Sequence, residues 1–172
     1  MEIPLAGGYS LRPWRPGDEA ALTKYANNWN IWINVGDRFP HPYTKEDARE
    51  WVSGQQGREP VTTFAIATAE EAIGGIGYHM QGDVRRRSAE IGYWLGEPFW
   101  GRGIMTTAVK ALSTYAMERH GLVRLYAHVF EWNLASAAVL EKAGFTLEAR
   151  LKKAVTKNSQ TIDELLYALV KD

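Results

Sequence analysis

The chain contains no cysteine, which excludes disulfide bonds, a thiolate nucleophile and cysteine-ligated metal. Nor does one sign of charge prevail. Lys+Arg and Asp+Glu each number 20, for a formal net charge of +0. No global field draws such a protein to nucleic acid or to an anionic membrane, so neither is expected as a partner. No apolar run approaches the roughly 20 residues of a membrane span. The opening MEIPLAGGYSLRPW lacks a basic segment followed by an apolar one. No secretory signal is therefore expected, and the cytoplasm is the default location. The histidines, His41, His79, His120 and His128, lack metal-ligand spacing, and no metal site is expected. Repeats, low-complexity segments and linkers are missing too, so one domain over residues 1–172 is the expectation.

What the chain does have is a hydrophobic fraction of 45% in 172 residues, enough to bury a full core, and seven tryptophans. Tyr9–Trp14 reads as an opening strand. Pro16, Gly17 and Asp18 act as stop and cap before a helix over DEAALTKYANNW, whose apolar residues recur at helical spacing. After an aromatic loop, Thr44 and Asp47 make a weaker form of the capping box for a helix over KEDAREWVSGQQ. Val61–Thr68 and Glu71–Met80 read as paired strands, and Arg87–Leu95 as a further strand ended by Gly96 and Pro98. A long amphipathic helix, IMTTAVKALSTYAMERH, closes on Gly121 in the C′ position. Val123–Phe130 reads as a buried strand, and NLASAAVLEKAG as a helix with Asn133 as N-cap and Gly144 as stop. FTLEARLKKAVT and TIDELLYALVKD form a closing antiparallel pair joined through KNSQ. This order predicts an α/β fold of mixed α+β type, with a central mixed sheet and helices on both faces.

The stretch EPFWGRGIMTTAVKAL sets a turn containing Pro98, Gly101 and Gly103 directly against a helix start. Strand, glycine turn and helix in that order form an anion site. The first helical N–H groups point outward, and the helix dipole adds about half a positive charge. Gly101 and Gly103 let the backbone come close to a ligand, while Arg102 either adds a charged contact or points into solvent. The plain alternative is a tight turn that needs glycine for its own geometry. A dinucleotide fingerprint would need a third glycine where Thr106 stands, and a P-loop would need Gly-Lys-Ser/Thr. Both readings fail.

WGRGIMT after AEIGYWLGEPF, followed by NLASAAVLEKAGF, resembles the GCN5-related N-acetyltransferase (GNAT) family, and within it the RimJ/RimL branch of ribosomal-protein N-terminal acetyltransferases. The family's Gln/Arg-x-x-Gly-x-Gly/Ala motif maps onto Trp100, Gly101, Arg102, Gly103, Ile104 and Met105. Trp100 replaces the Gln/Arg and Met105 the small residue, both familiar departures in that branch. FPHPYTKEDAREWV and DELLYALV extend the likeness over nearly the whole chain. The resemblance implies a single-domain GNAT-like fold with a mostly antiparallel, twisted sheet, and acetyl-CoA as the acetyl donor. It implies that backbone N–H groups of Gly101, Arg102, Gly103, Ile104, Met105 and Thr106, with Trp100 opening the motif, hold the pyrophosphate. Backbone groups of Trp94 and Leu95 would pair with the pantetheine arm, one N–H there polarising the thioester carbonyl. Gly92 and Gly96 would weaken ordinary strand pairing on either side. Asn133 would add a contact to the coenzyme arm.

The acceptor amine must be neutral to attack. At pH 7 that costs about 4.6 kcal/mol for lysine but only about 1 kcal/mol for an α-amine, from their reference pKa values. The resemblance implies Glu90 as the base. Alternation sets it on the face opposite Ala89, Ile91 and Tyr93, though an ordinary solvated or ion-paired strand glutamate would sit there as well. The tyrosine acid of many GNAT enzymes is missing, since Leu140 stands in its place. The RimJ/RimL pattern supplies Ser136 instead, either as a proton donor to the sulfur or as a small residue making room. Tyr167 is a further polar candidate. Around the first two helices cluster Trp29, Trp32, Phe39, His41, Tyr43 and Trp51. These fill the core or, for Trp32, Phe39, His41 and Tyr43, wall a pocket for the acceptor, with Asp37 near a cationic one. Arg85, Arg86 and Arg87 receive no role. The leading expectation is an N-acetyltransferase acting on a protein N-terminal α-amine or a small amine. The alternatives are a drug- or toxin-detoxifying acetyltransferase and an acyl-CoA-binding sensor or partner subunit without turnover. A homodimer stays open.

Overall fold

Helix boundaries fall where capping chemistry places them. The computed structural model describes residues 1–172. Thr44 Oγ1 accepts from the Asp47 N–H at 3.2 Å, and the Asp47 carboxylate takes the Thr44 N–H at 2.8 Å, so the capping box closes in full ahead of α3 (Lys45–Gln55). Thr44→Ala is expected to lower stability by about 1 kcal/mol, read from a denaturant midpoint at unchanged m-value. Asn133 Oδ1 takes the Ser136 N–H ahead of α5 (Leu134–Lys142). Gly121, just past α4 (Ile104–His120), has φ +63° and fits the left-handed stop that the C′ position favours.

Three elements differ from the expectation. Asp18 does not cap α1 (Glu19–Ala26) with its side chain. Its carboxylate is taken by Arg12, whose guanidinium donates to both oxygens at 2.9 and 2.8 Å. The first helix also stops at Ala26 rather than running to Trp29. Asn28 is extended there, and its Oδ1 accepts the Asn30 N–H to start the single turn α2 (Trp29–Trp32). Finally, β1 (Ile3–Leu5) precedes the expected first strand, which is β2 (Tyr9–Pro13).

The remaining strands are β3 (Thr63–Ala67), β4 (Ala72–Met80), β5 (Ser88–Leu95), β6 (Arg124–Phe130), β7 (Thr146–Lys157) and β8 (Gln160–Val170). Their hydrogen-bonded order is β1-β2-β3-β4-β5-β6-β8-β7. The chain forms two compact units, Met1–Gly77 with Tyr93–Ile104, and Tyr78–Gly92 with Met105–Asp172. In the first unit β1, β2, β3 and β4 pair antiparallel in sequence order, and α1 and α3 pack together. Its core is a cluster of Trp14, Leu22, Ala26, Tyr43, Ala48, Val52, Ala65 and Ala72. In the second unit β5 and β6 run parallel, as a helical crossover allows, while β6–β8 and β7–β8 are antiparallel. Leu125, Ala127 and Val129 alternate inward along β6, so Tyr126 and His128 share the opposite face. The β7–β8 hairpin turns through Asn158 and Ser159, both at positive φ, the two-residue geometry that matches strand twist.

Candidate functional site

In the first unit the chain leaves β5 through a 3-10 turn, Glu97–Phe99, and reaches α4 through Gly101 and Gly103. Both glycines have positive φ, +74° and +76°, and a Cβ at either would stand in open space. The requirement for glycine is thus conformational rather than steric. The guanidinium of Arg102 lies 5.5 Å from the centre of the Phe99 ring. Glu97 is held by the side-chain amides of Asn28 and Asn30 at 2.8 and 3.0 Å, and those two bonds depress its pKa. Asn28 and Asn30 were invisible as turn anchors in the sequence, where Asn28 read as a helix residue and Asn30 as the start of the aromatic loop. Trp100 braces the turn from inside it, donating its indole N–H to the Leu95 carbonyl at 2.7 Å.

The strand end before the turn is shaped by glycines on β4. A Cβ on Gly74 would lie 2.5 Å from the Trp94 carbonyl oxygen, and one on Gly75 would lie 2.7 Å from Trp94 Nε1. Only glycine permits that approach, so β4 sets where the Trp94 backbone lies. Gly92 is exposed with open space around it, as expected of a weak point in pairing. Gly96 differs from expectation, because its N–H bonds the Ile73 carbonyl at 2.8 Å and continues the ladder.

In the second unit Glu90 stands opposite Tyr126 in the parallel β5–β6 register. Its carboxylate meets His128 Nδ1 at 2.9 Å, and His128 Nε2 lies 3.9 Å from Glu164 Oε1. Sequence reasoning found Glu90 and missed its partners. His128 is 38 residues away, and only the pairing of distant strands joins them. The hydrogen bond to Glu90 raises the His128 pKa against the opposing effect of burial, with the charges of Glu164 and Glu90 helping. Burial pushes Glu164 upward against the pull of His128. Also in this unit, Ser136 lies in the first turn of α5, where Asn133 Oδ1 holds its N–H at 3.2 Å. Leu140 is fully buried in the core, and Tyr167 donates its hydroxyl to the Glu141 carboxylate at 3.0 Å, pinning α5 to β8.

Residues 10–146 match the model of the acetyltransferase (GNAT) domain. The chain belongs to the GNAT acetyltransferase family. It is 33% identical over 145 residues to the ribosomal-protein-serine acetyltransferase of Escherichia coli (strain K12), covering 82% of this chain and 80% of that relative. It is 38% identical over 98 residues to the putative ribosomal N-acetyltransferase YdaF of Bacillus subtilis (strain 168), across 57% of this chain and 53% of that relative, little more than half its length. The structure of RimL, a ribosomal L7/L12 alpha-N-protein acetyltransferase in complex with coenzyme A, superposes with a TM-score of 0.85 at 28% identity, covering 100% of this chain and 99% of that one. The GNAT fold of mixed α/β type, with eight strands and five α-helices, is thus shown over the full chain. The coenzyme in that RimL structure is joined to a cysteine.

The aromatic residues of this GNAT chain divide by burial. Tyr43, read as an acceptor contact, is only 6% exposed, lies in the core cluster, and has its hydroxyl pKa pushed up to about 12 by that burial. Phe39 packs on the same cluster beside Trp94, with ring centres 5.6 Å apart. Trp32 and His41 stack at 5.8 Å, and the exposed Trp29 lies 6.4 Å from Trp32. Trp29, Trp32 and His41 thus form one aromatic group of the first unit, where Trp51 and Trp100 are exposed as well.

Proposed function

We infer that this chain transfers an acetyl group from acetyl-CoA to a primary amine, a protein N-terminal α-amine or a small amine, and that residues 1–172 act as one N-acetyltransferase domain. The observation that carries this reading is the turn at Gly101 and Gly103, at positive φ against the start of α4, in a chain of the GNAT family. The donor set fits the coenzyme's anionic part. It combines a turn whose two glycines take positive φ with open space at their Cβ positions, the N–H groups of a helix's first turn, and the Arg102 guanidinium. Gly101, Arg102, Gly103, Ile104, Met105 and Thr106 would hold the pyrophosphate. The Trp94 and Leu95 backbone would hold the pantetheine arm, together with the amide nitrogen of Asn133. When bound, the coenzyme supplies an acetyl thioester whose carbonyl is the electrophile.

The chain's own part is to orient the amine and move protons. Trp32 and His41 form the acceptor's aromatic wall, with Tyr43 in the core cluster and Phe39 packed on that cluster. Glu90, bonded to His128, stands at the proton-accepting end and Ser136 at the proton-donating end. No metal takes part in this reading, nor do nucleic acid or a membrane. No helix is long and apolar enough to cross a bilayer. The setting is the cytoplasm, and a homodimer is compatible with it.

Calorimetry with acetyl-CoA, followed by mass spectrometry of an acceptor panel, tests this function. The panel holds peptides with a free N-terminus, N-blocked peptides with a lysine, and small amines. Tight binding and acetylation of free N-termini or small amines is expected. Binding without turnover on any amine would make the chain a sensor, and absence of binding would leave the glycine turn as only a turn.

A further inference from the structure

The face of the second unit that carries Glu90 holds three groups the proton chemistry has to account for. His128 sits between two carboxylates drawn from neighbouring strands, Glu90 of β5 and Glu164 of β8. Tyr126, two residues back on β6, turns its ring edge-on to the imidazole at 5.7 Å and 90°. A carboxylate only accepts, so Nδ1 carries the hydrogen shared with Glu90 and the lone pair is left on Nε2. Glu164 is too far from Nε2, at 3.9 Å, for a direct hydrogen bond, but close enough to stabilise a positive ring. His128 is about one-third exposed at 31%, so a proton received there can leave to water. An imidazole, with a reference value of about 6.5, lies close to an α-ammonium at about 7.7 and so suits the exchange.

We propose that Nε2 of His128 is the base that takes the proton from the acceptor's α-ammonium, with Glu90 as the positioning residue that fixes its tautomer and Glu164 as the charge that steadies the imidazolium. This deepens the acetyl-transfer reading and rests on it. In the step, one N–H bond of the ammonium breaks and one N–H bond forms at Nε2, giving a neutral amine and an imidazolium. The imidazolium then releases its proton to solvent. The hydrogen bond to Glu90 shifts His128 upward, toward the α-amine. An N-terminal α-amine is the acceptor this base is proposed to serve.

The test uses the full chain, acetyl-CoA and two peptides, one with a free N-terminus and one N-blocked with a lysine. Rates are followed from about pH 6 to about pH 9, spanning the imidazole and α-amine values. His128→Gln is expected to lower kcat/KM for the free N-terminus about 100-fold near neutrality, with KM for acetyl-CoA unchanged. The deficit should close near the alkaline limit, where the amine is already neutral. Added imidazole should restore part of the rate of His128→Ala. By NMR, the His128 ring should titrate above an ordinary histidine in the wild type and lower in Glu90→Gln, a readout independent of turnover. His128→Asn serves if either variant loses its fold. Wild-type rate and pH profile in His128→Gln would overturn the proposal and leave the acetyl-transfer reading intact. A uniform rate loss with an unchanged profile would overturn it equally, marking the residue as structural. A wild type that acetylates neither peptide at any pH would sink the N-terminal reading, and the base with it.

Discussion

Arg12→Ala is expected to lower the free energy of unfolding by about 3–5 kcal/mol, the cost of leaving one member of a buried ion pair without its partner. The Arg12 and Asp18 side chains are 7% and 6% exposed, and both guanidinium contacts are short. Asp18 also accepts the Arg15 N–H at 2.9 Å, so the pair ties the end of β2 to the start of α1. Burial alone would raise the Asp18 pKa, but the Arg12 hydrogen bond, the Arg15 N–H and the two arginine charges outweigh it, and the net shift is downward. A depressed folded-state pKa gives stability that is fully present above the unfolded value, about 3.9, and is lost as pH falls through the folded one. Without Arg12 only burial, one N–H and the Arg15 charge remain, so the Asp18 pKa rises in the variant and its stability should fall less than the wild type's on acidification. Urea unfolding at neutral and acid pH reads both effects. The pair Arg12→Met with Asp18→Leu should recover much of the loss, since an apolar pair carries no desolvation penalty. A single variant within about 0.5 kcal/mol of wild type, the range of an ordinary surface change, would refute the account.

Gly103→Val should weaken acetyl-CoA binding by at least about 100-fold, or about 2.7 kcal/mol. A β-branched residue cannot hold φ +76° without strain, and its side chain would enter the space that the turn leaves open. Strain alone would cost on the order of 1–3 kcal/mol of stability. Gly121→Val provides the matched control, because Gly121 has φ +63° at the far end of α4. Both variants should lose stability, and only Gly103→Val should lose the coenzyme, as calorimetry on folded protein will show. Equal binding losses in the two would make the effect one of stability rather than of the anion site.

Features encoded within a few neighbouring residues were legible before the structure. The α4 boundaries, the Thr44–Asp47 box, the Asn133 cap and the Lys157–Gln160 turn each depend on local chemistry, and each lies where the pattern placed it. The backbone of the glycine turn belongs to the same class. Features that depend on strand register were not legible. Nothing near Glu90 announces His128, and nothing near His128 announces Glu164, because the three meet through two separate strand pairings. Asp18 misled for a related reason. It follows a proline and a glycine as a cap would, yet a buried guanidinium six residues earlier competes for it and wins. Tyr43 looked like its aromatic neighbours, and only the packing of α1 and α3 decides that it faces inward.

The outer strand of the β7–β8 hairpin has a bearing on self-association. Twelve residues of open edge would present a long row of unpaired amides and carbonyls, the template on which sheets of separate molecules join. That row is broken. The β7–β8 register shifts between Leu151 and Val155, Lys153 takes φ +55°, and its N–H turns to the Asp163 carboxylate at 2.9 Å while Arg150 clamps the same carboxylate. The kink, with charged Lys152 and Lys153 at its tip, leaves no continuous edge for another chain to extend. At the other end of the strand order, β1 is three residues long and contains Pro4, which cannot donate to a ladder. Both outer strands thus carry features that oppose joining molecules strand to strand.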